Sequence, residues 1–388
     1  MKPREITGGV SSVGVIDWHR QLFDALIPLP DGTSYNSYLV EGTEKTVLID
    51  TVDPPFLGEL LENLSGVKKL DYIVANHAEQ DHSGSLPDLL ARWPEAKVVC
   101  SEKCKGMLSD LLALDEDRFI TVTDGETLSL GDRTLRFIFT PWVHWPETIS
   151  TYLEEEKILF SCDFFGSHLA TTDLYASDWC RVYEAAKRYY GEIMMPFRTI
   201  IDKNLEKIKD LEIRLICPSH GPVYDRPELI VSAYRDWVSG PLAKSVVLPF
   251  VSMHDSTARM ADRLLSALVE RGITVHPFDL TVTDPGKLVI ALVDASALAL
   301  GTSTVLAGPH PLAANAAVLV NALKPRLKTA AIFGSYGWGG KTVETITSLV
   351  TNLKAELLEP VLCKGLPGLE DYAALDRLAE ELAGRIEG

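Results

Sequence analysis

The sequence predicts an α/β protein of two domains, the second of them a doubly wound parallel sheet. Three observations carry this expectation. The chain is 388 residues long, which suits two domains better than one. Short apolar, β-branched runs alternate with helical stretches along its length. The pattern then changes near Gly240-Pro241, after which strand and helix alternate cleanly. The expected domains are therefore residues 1–244 and 245–388.

In the first half, strands are expected at Tyr38–Glu41, Thr46–Asp50, Tyr72–Ala75, Lys97–Cys100, Leu135–Phe139 and Lys157–Ser161. Helices fit Phe56–Leu64 and Gly84–Trp93. The second half opens with Ser245–Val251, an almost wholly apolar run. Pro249 is awkward at its centre, because proline has no N–H to give a ladder. Ser256–Arg271 spaces Met260, Leu264, Leu265 and Leu268 as one helical face. Strands at Val275–Leu280, Ala297–Leu300, Thr329–Phe333 and Ala355–Glu359 follow, with helices at 312–323 and 341–353. This βαβαβ order predicts parallel pairing through right-handed crossovers.

Lys and Arg number 37 against 54 Asp and Glu, a formal net charge of −17. Such a surface repels phosphate backbones and anionic lipid, so neither nucleic acid nor membrane is an expected partner. Ala295–Leu323 is uncharged, but Gly-Thr-Ser-Thr (301–304) and Gly-Pro-His-Pro (308–311) interrupt it. It falls short of the roughly 20 apolar residues that span a bilayer. The six cysteines form no CxxC pair and read as reduced thiols of a cytoplasmic protein. The first residues lack the apolar run of a signal peptide.

The densest chemistry is Asn76-His-Ala-Glu-Gln-Asp-His-Ser-Gly84. His77, Glu79, Asp81 and His82 are all metal-competent, and the segment follows a strand. If extended, it points His77, Glu79 and Asp81 to one side, leaving His82 to turn towards a second centre. His144 (in Pro-Trp-Val-His-Trp-Pro-Glu-Thr), Asp163 (in Leu-Phe-Ser-Cys-Asp) and His220 (in Cys-Pro-Ser-His-Gly-Pro) each follow a strand or sit in a turn. A lone histidine is usually structural; three such residues after a cluster of four point to metal.

His-x-Glu-x-Asp-His followed by separated His, Asp and His resembles the metallo-β-lactamase superfamily, whose hydrolases usually carry His where this chain has Glu79. With that Glu, the motif is similar to the flavodiiron proteins, or A-type flavoproteins. Asp31-Gly-Thr-Ser-Tyr-Asn-Ser-Tyr38 and Gly334-Ser-Tyr-Gly-Trp-Gly-Gly340 resemble them too. The resemblance implies an N-terminal metallo-β-lactamase-like αββα sandwich and a C-terminal flavodoxin-like sheet. It implies two irons, one held by His77, Glu79 and His144 and the other by Asp81, His82 and His220, with Asp163 bridging. Mixed His and carboxylate ligation suits redox-active iron better than hydrolytic zinc.

The resemblance also implies FMN on loops at the strand ends. The first is Ser252-Met253-His254-Asp255-Ser256-Thr257, able to cradle a phosphate at a helix N-terminus. The second spans Gly301–Gly308, with Thr302, Ser303, Thr304 and Gly308. The third carries Ser335, Tyr336, Gly337, Trp338 and Gly339. Asp255 departs from the family, which more often has Gly there, and puts a carboxylate beside the expected phosphate. Ser303, Val305 and Leu306 depart as well. His19, His168 and Tyr190 are candidates for supporting roles. The function implied is reduction of O2 to water or NO to N2O, fed by a rubredoxin-like protein or reduced F420. A homodimer or homotetramer is implied, the flavin of one subunit serving the irons of its neighbour. The alternative is a superfamily hydrolase with a degenerate flavodoxin domain. A third reading makes the chain an electron carrier whose metal half is only scaffold.

Overall fold

The computed structural model describes residues 2–23 and 25–388. Contacts divide the chain into two compact units. One holds the described residues up to Tyr190 together with Phe197–Ser239; the other holds Gly191–Pro196 and Gly240–Gly388.

The first unit is a two-sheet sandwich. One sheet orders its seven strands as Arg4–Thr7, Val10–Ser12, Tyr38–Glu41, Thr46–Ile49, Tyr72–Val74, Lys97–Ser101 and Phe119–Val122. The other orders five: Thr127–Ser129, Thr134–Phe139, Ile149–Leu153, Ile158–Cys162 and Leu215–Pro218. Alternate residues of both sheets (Val40, Val47, Ile49 and Val74 against Phe137, Ile149 and Phe160) bury one apolar layer between them. The opposite face of the first sheet (Leu39, Leu48, Ile73, Val98) packs against helices Leu57–Asn63, Leu86–Arg92 and Glu102–Leu112. This is the αββα arrangement, and it aims the strand ends after Val74, Cys162 and Pro218 at the site described below.

The helix expected over Gly84–Trp93 is found as Leu86–Arg92, and a separate helical turn, Gln80–Ser83, precedes it and corrects another expectation. The segment after His77 is extended only as far as Glu79 (ψ 140°), so Asp81 and His82 sit on a helical turn. The alternation that would aim Asp81 beside Glu79 therefore stops one residue short.

The second unit is a parallel sheet with central order Thr274–Asp279, Ala243–Val251, Ala295–Val305, Thr329–Tyr336. Glu356–Leu357 and Val361–Lys364 both extend the last of these in parallel. Order 2-1-3-4-5 is the flavodoxin-like one. Helices Ser256–Glu270 and Leu369–Glu387 cover one face; Pro285–Leu292, Pro311–Leu323 and Thr342–Leu349 cover the other. The strand expected at Ala355–Glu359 is found as the short Glu356–Leu357, and a further strand, Val361–Lys364, follows after Leu358–Pro360. Pro249 does lie inside a central strand. Pairing with Ala295–Val305 skips from Val247–Leu298 to Phe250–Gly301, so the missing N–H falls in a gap of that ladder.

The expected second loop is not a loop. Thr302, Ser303 and Thr304 continue the strand to Val305, and Gly308–Pro309 returns antiparallel to it. Leu306 and Ala307 form the connection with φ 48° and 60°, a two-residue hairpin turn. Gly301 and Gly308 suggest a loop by punctuation, but the β-branched residues between them favour extension.

Candidate metal centre and flavin loops

His77 follows the strand Tyr72–Val74, and Asn76 fixes where it starts. The Asn76 backbone N–H and side-chain amide donate to the two carboxylate oxygens of Asp50 at 2.8 and 2.9 Å. Its side-chain oxygen accepts from Thr151 at 2.7 Å, and its carbonyl from the Ile149 N–H at 2.9 Å. Asp50 directly follows a strand of one sheet and Thr151 belongs to the other, so this fully buried residue joins both.

The seven candidate ligands converge as two groups: His77, Glu79, His144 and Asp163, and Asp81, His82 and His220. Asp163 faces both. Its Oδ2 lies 3.5 Å from the Nε2 atoms of His77 and His144. Its Oδ1 lies 3.1 Å from His82 Nε2 and 3.5 Å from His220 Nε2. Glu79 Oε2 completes the first group, 3.1 Å from His77 and 3.0 Å from His144. Asp81 Oδ2 completes the second, 3.4 Å from both His82 and His220.

Burial pulls the imidazolium of His77 down, but Glu147 and Glu79 outweigh it and lift the pKa to about 10. His82 likewise rises to about 10 beside Asp81 and Asp163, and His144 to about 10 beside Asp163 and Glu79. Burial raises the Glu79 and Asp163 carboxyls, yet the surrounding histidines hold both below the usual range. Both Asp163 oxygens, Asp81 Oδ1 and both His82 nitrogens are buried without a hydrogen-bond partner. Unsatisfied imidazoles and carboxylates packed this closely suit metal ions, which supply the missing partner to each.

Glu147 escapes the sequence reading. It is buried, accepts from the Ala78 N–H at 3.0 Å, and meets His77 Nδ1 at 2.7 Å. That contact fixes the ring and leaves Nε2 to the centre. The available signal was its place three residues after His144 in the quoted motif. His220 is oriented by Nδ1–H donation to the Ser34 carbonyl at 2.7 Å. The His168 ring lies 4.9 Å from that of His220, tilted by 59° to it, with Nδ1 3.0 Å from Thr33 Oγ1. Burial and His220 keep its pKa well down. Of the other supporting candidates, His19 is exposed, and Tyr190 is buried among Tyr234 and Trp237. A cavity of about 210 Å³ opens beside the second group, lined by Phe23, Leu29, Tyr35, Asp53, Asp81 and His220, with Arg20 and His168 also on its wall.

In the other unit, hydroxyls from all three expected flavin segments meet. Thr257 Oγ1 lies 3.2 Å from Ser303 Oγ and 2.9 Å from Ser335 Oγ, and Ser303 Oγ accepts from the Met253 N–H at 3.3 Å. Ser252 Oγ is buried without a partner. Asp255, in the left-handed region at φ 70°, precedes helix Ser256–Glu270 without capping it. Thr302 Oγ1 accepts from the His310 N–H, and Thr304 pairs with Thr342 at the start of helix Thr342–Leu349, so these two hydroxyls already have protein partners. Gly337 and Gly339 stand in open space, while Met253, His254 and Trp338 are exposed. Free donors at a helix N-terminus beside small residues fit a phosphate-bearing cofactor.

Fold and site together define the class: a metallo-β-lactamase-like sandwich around two adjoining ligand clusters, followed by a flavodoxin-like sheet. A family model described as "ODP family beta lactamase" matches residues 33–221. A type A flavoprotein of Rhodobacter capsulatus is 36% identical over 403 residues, covering 99% of this chain and 92% of the relative. A nitric oxide reductase of Moorella thermoacetica is 34% identical over 396 residues, 99% of each. The solved rubredoxin oxygen:oxidoreductase of Desulfovibrio gigas superposes with a TM-score of 0.96 at 30% identity, covering 100% of this chain and 99% of that one. The chain belongs to the flavodiiron, or type A flavoprotein, family. No helix among the described residues is long and apolar enough to cross a membrane.

Proposed function

We propose that this chain is a flavodiiron oxidoreductase that reduces O2 to water, NO to N2O, or both. The observation that carries the reading is Asp163, whose two oxygens face separate His and carboxylate clusters, as a bridge between two metal ions requires. Residues 1–244 hold the irons, through His77, Glu79 and His144 on one side and Asp81, His82 and His220 on the other. Residues 245–388 hold FMN through the Ser252–Thr257, Thr302–Gly308 and Ser335–Gly339 segments. Bound together, the two irons and FMN supply the electrons.

The chain's own residues set the conditions for that chemistry. Glu147 and the Ser34 carbonyl hold His77 and His220 with Nε2 turned inward. Phe23, Leu29 and Tyr35 give the cavity an apolar wall suited to a small, weakly polar diatomic. Both reductions consume protons. Asp53 on the same wall is a carboxyl whose pKa burial and Asp81 raise against the opposing effect of Arg20.

The electron donor is a rubredoxin-like protein or reduced F420; relatives named for each are similar to this chain. Family membership supports a cytoplasmic homodimer or homotetramer in which one subunit's flavin faces its neighbour's irons.

Metal and flavin analysis of the purified protein tests the reading. The expected result is about two irons and one FMN per chain, with O2 or NO consumed when a reduced donor is added anaerobically. Zinc with no flavin, and turnover of an ester or lactam, overturns it in favour of hydrolysis. Loading iron into metal-free protein is also expected to release protons from His77, His82 and His144, each protonated up to about pH 10 without metal. A pH-indicator titration measures them.

A further inference from the structure

Asp255 is the least expected residue beside a flavin phosphate. It precedes helix Ser256–Glu270, whose first-turn N–H groups and positive dipole end suit an anion. An aspartate in that place ordinarily caps those N–H groups itself. Here it does not. Its backbone is left-handed, at φ 70°, and its side chain makes no capping bond. Instead its Oδ2 accepts from Arg259 Nε at 2.9 Å, one turn along the same helix. The Arg259 N–H also donates to the Asp255 carbonyl at 2.9 Å, so the backbone fixes the spacing at which the two side chains meet. With its backbone left-handed, Asp255 leaves the helix end without a side-chain cap, beside the unpartnered Ser252 hydroxyl.

We propose that the Asp255–Arg259 pair is a latch that holds this carboxylate off the phosphate-binding end of the helix and so sets how tightly the flavin phosphate is retained. The proposal rests on the reading that these loops hold FMN. Without Arg259, the Asp255 carboxylate loses the cation that holds and offsets it. It is then free to swing towards the phosphate site and sets one negative charge against another. The latch acts on the phosphate and not on the ring, so riboflavin, which has no phosphate, is indifferent to it.

The test is titration of the full-length, flavin-stripped protein with FMN and with riboflavin, followed by flavin fluorescence. Arg259→Gln is expected to weaken FMN about fivefold and to leave riboflavin unchanged. Asp255→Asn removes the charge but tolerates the left-handed backbone, and is expected to bind FMN at least as tightly as the unmodified chain. In the Asp255→Asn background, Arg259→Gln is expected to have no further effect. Equal weakening of FMN and riboflavin by Arg259→Gln shows a merely structural role and overturns the latch. So does an undiminished effect of Arg259→Gln when Asp255 is already Asn, or no effect of it at all. If no variant, the unmodified chain included, binds FMN, the flavin reading itself falls and the latch with it.

Discussion

In the metal half, rigid partners outside the ligand set hold the ligands: Glu147 braces His77, and the Ser34 carbonyl braces His220. In the flavin half, Thr257, Ser303 and Ser335 brace one another, while Met253, Trp338 and the hairpin tip at Leu306 lie open. One region is prepared for ions whose bonds are short and directional. The other keeps a small hydroxyl knot near an exposed rim, suited to a large flat cofactor held by many weak contacts. The difference teaches where a substitution matters. In the first region one atom carries much of the site; in the second the loss of one atom is shared.

The sharpest test of that contrast is Asp163→Ala. Because both groups share Asp163, iron in both positions and all reductase activity are expected to vanish while FMN stays; metal analysis with flavin absorbance checks this. Iron retained at one position would show that the clusters do not depend on a common bridge. Next is Glu147→Gln, which keeps the shape but removes the charge that holds His77. A loss of roughly 10- to 100-fold in iron retention against a chelator is expected. A smaller change would mean that packing alone orients the ring. Thr257→Ala comes last. It unties the hydroxyl knot and is expected to weaken FMN by about fivefold, as for one neutral hydrogen bond, leaving iron content untouched. A loss as large as that of Glu147→Gln would erase the contrast.

The candidate ligands were legible because their evidence is chemical identity: His, Asp and Glu at strand ends are conspicuous even without coordinates. Glu147 was not, because a carboxylate that serves another ligand carries no mark distinguishing it from a solvated one. Its role depends on a fold that brings it 2.7 Å from a residue 70 positions away. Strands were legible from β-branched runs, but their ends were not. Residues 301–303 extend by pairing with Ala243–Val251 and Thr329–Tyr336, and Thr304 and Val305 by pairing with Gly308–Pro309, contacts with distant strands and a following hairpin that glycine punctuation does not reveal. The turn at Gln80–Ser83 was hidden for a related reason. Period-two spacing of acidic and imidazole groups reads as a strand, while the backbone there bends after Glu79.

Asn76 carries a consequence for the lifetime of the holoprotein. A residue tied at once to Asp50 and Thr151 cannot swing away while both sheets stand. The backbone of His77, its covalent neighbour, is therefore held wherever the two sheets are held. A metal at its Nε2 would be let go by turning of the imidazole against Glu147 and not by drift of the chain, so iron exchange would report on that one contact as long as the sandwich stands.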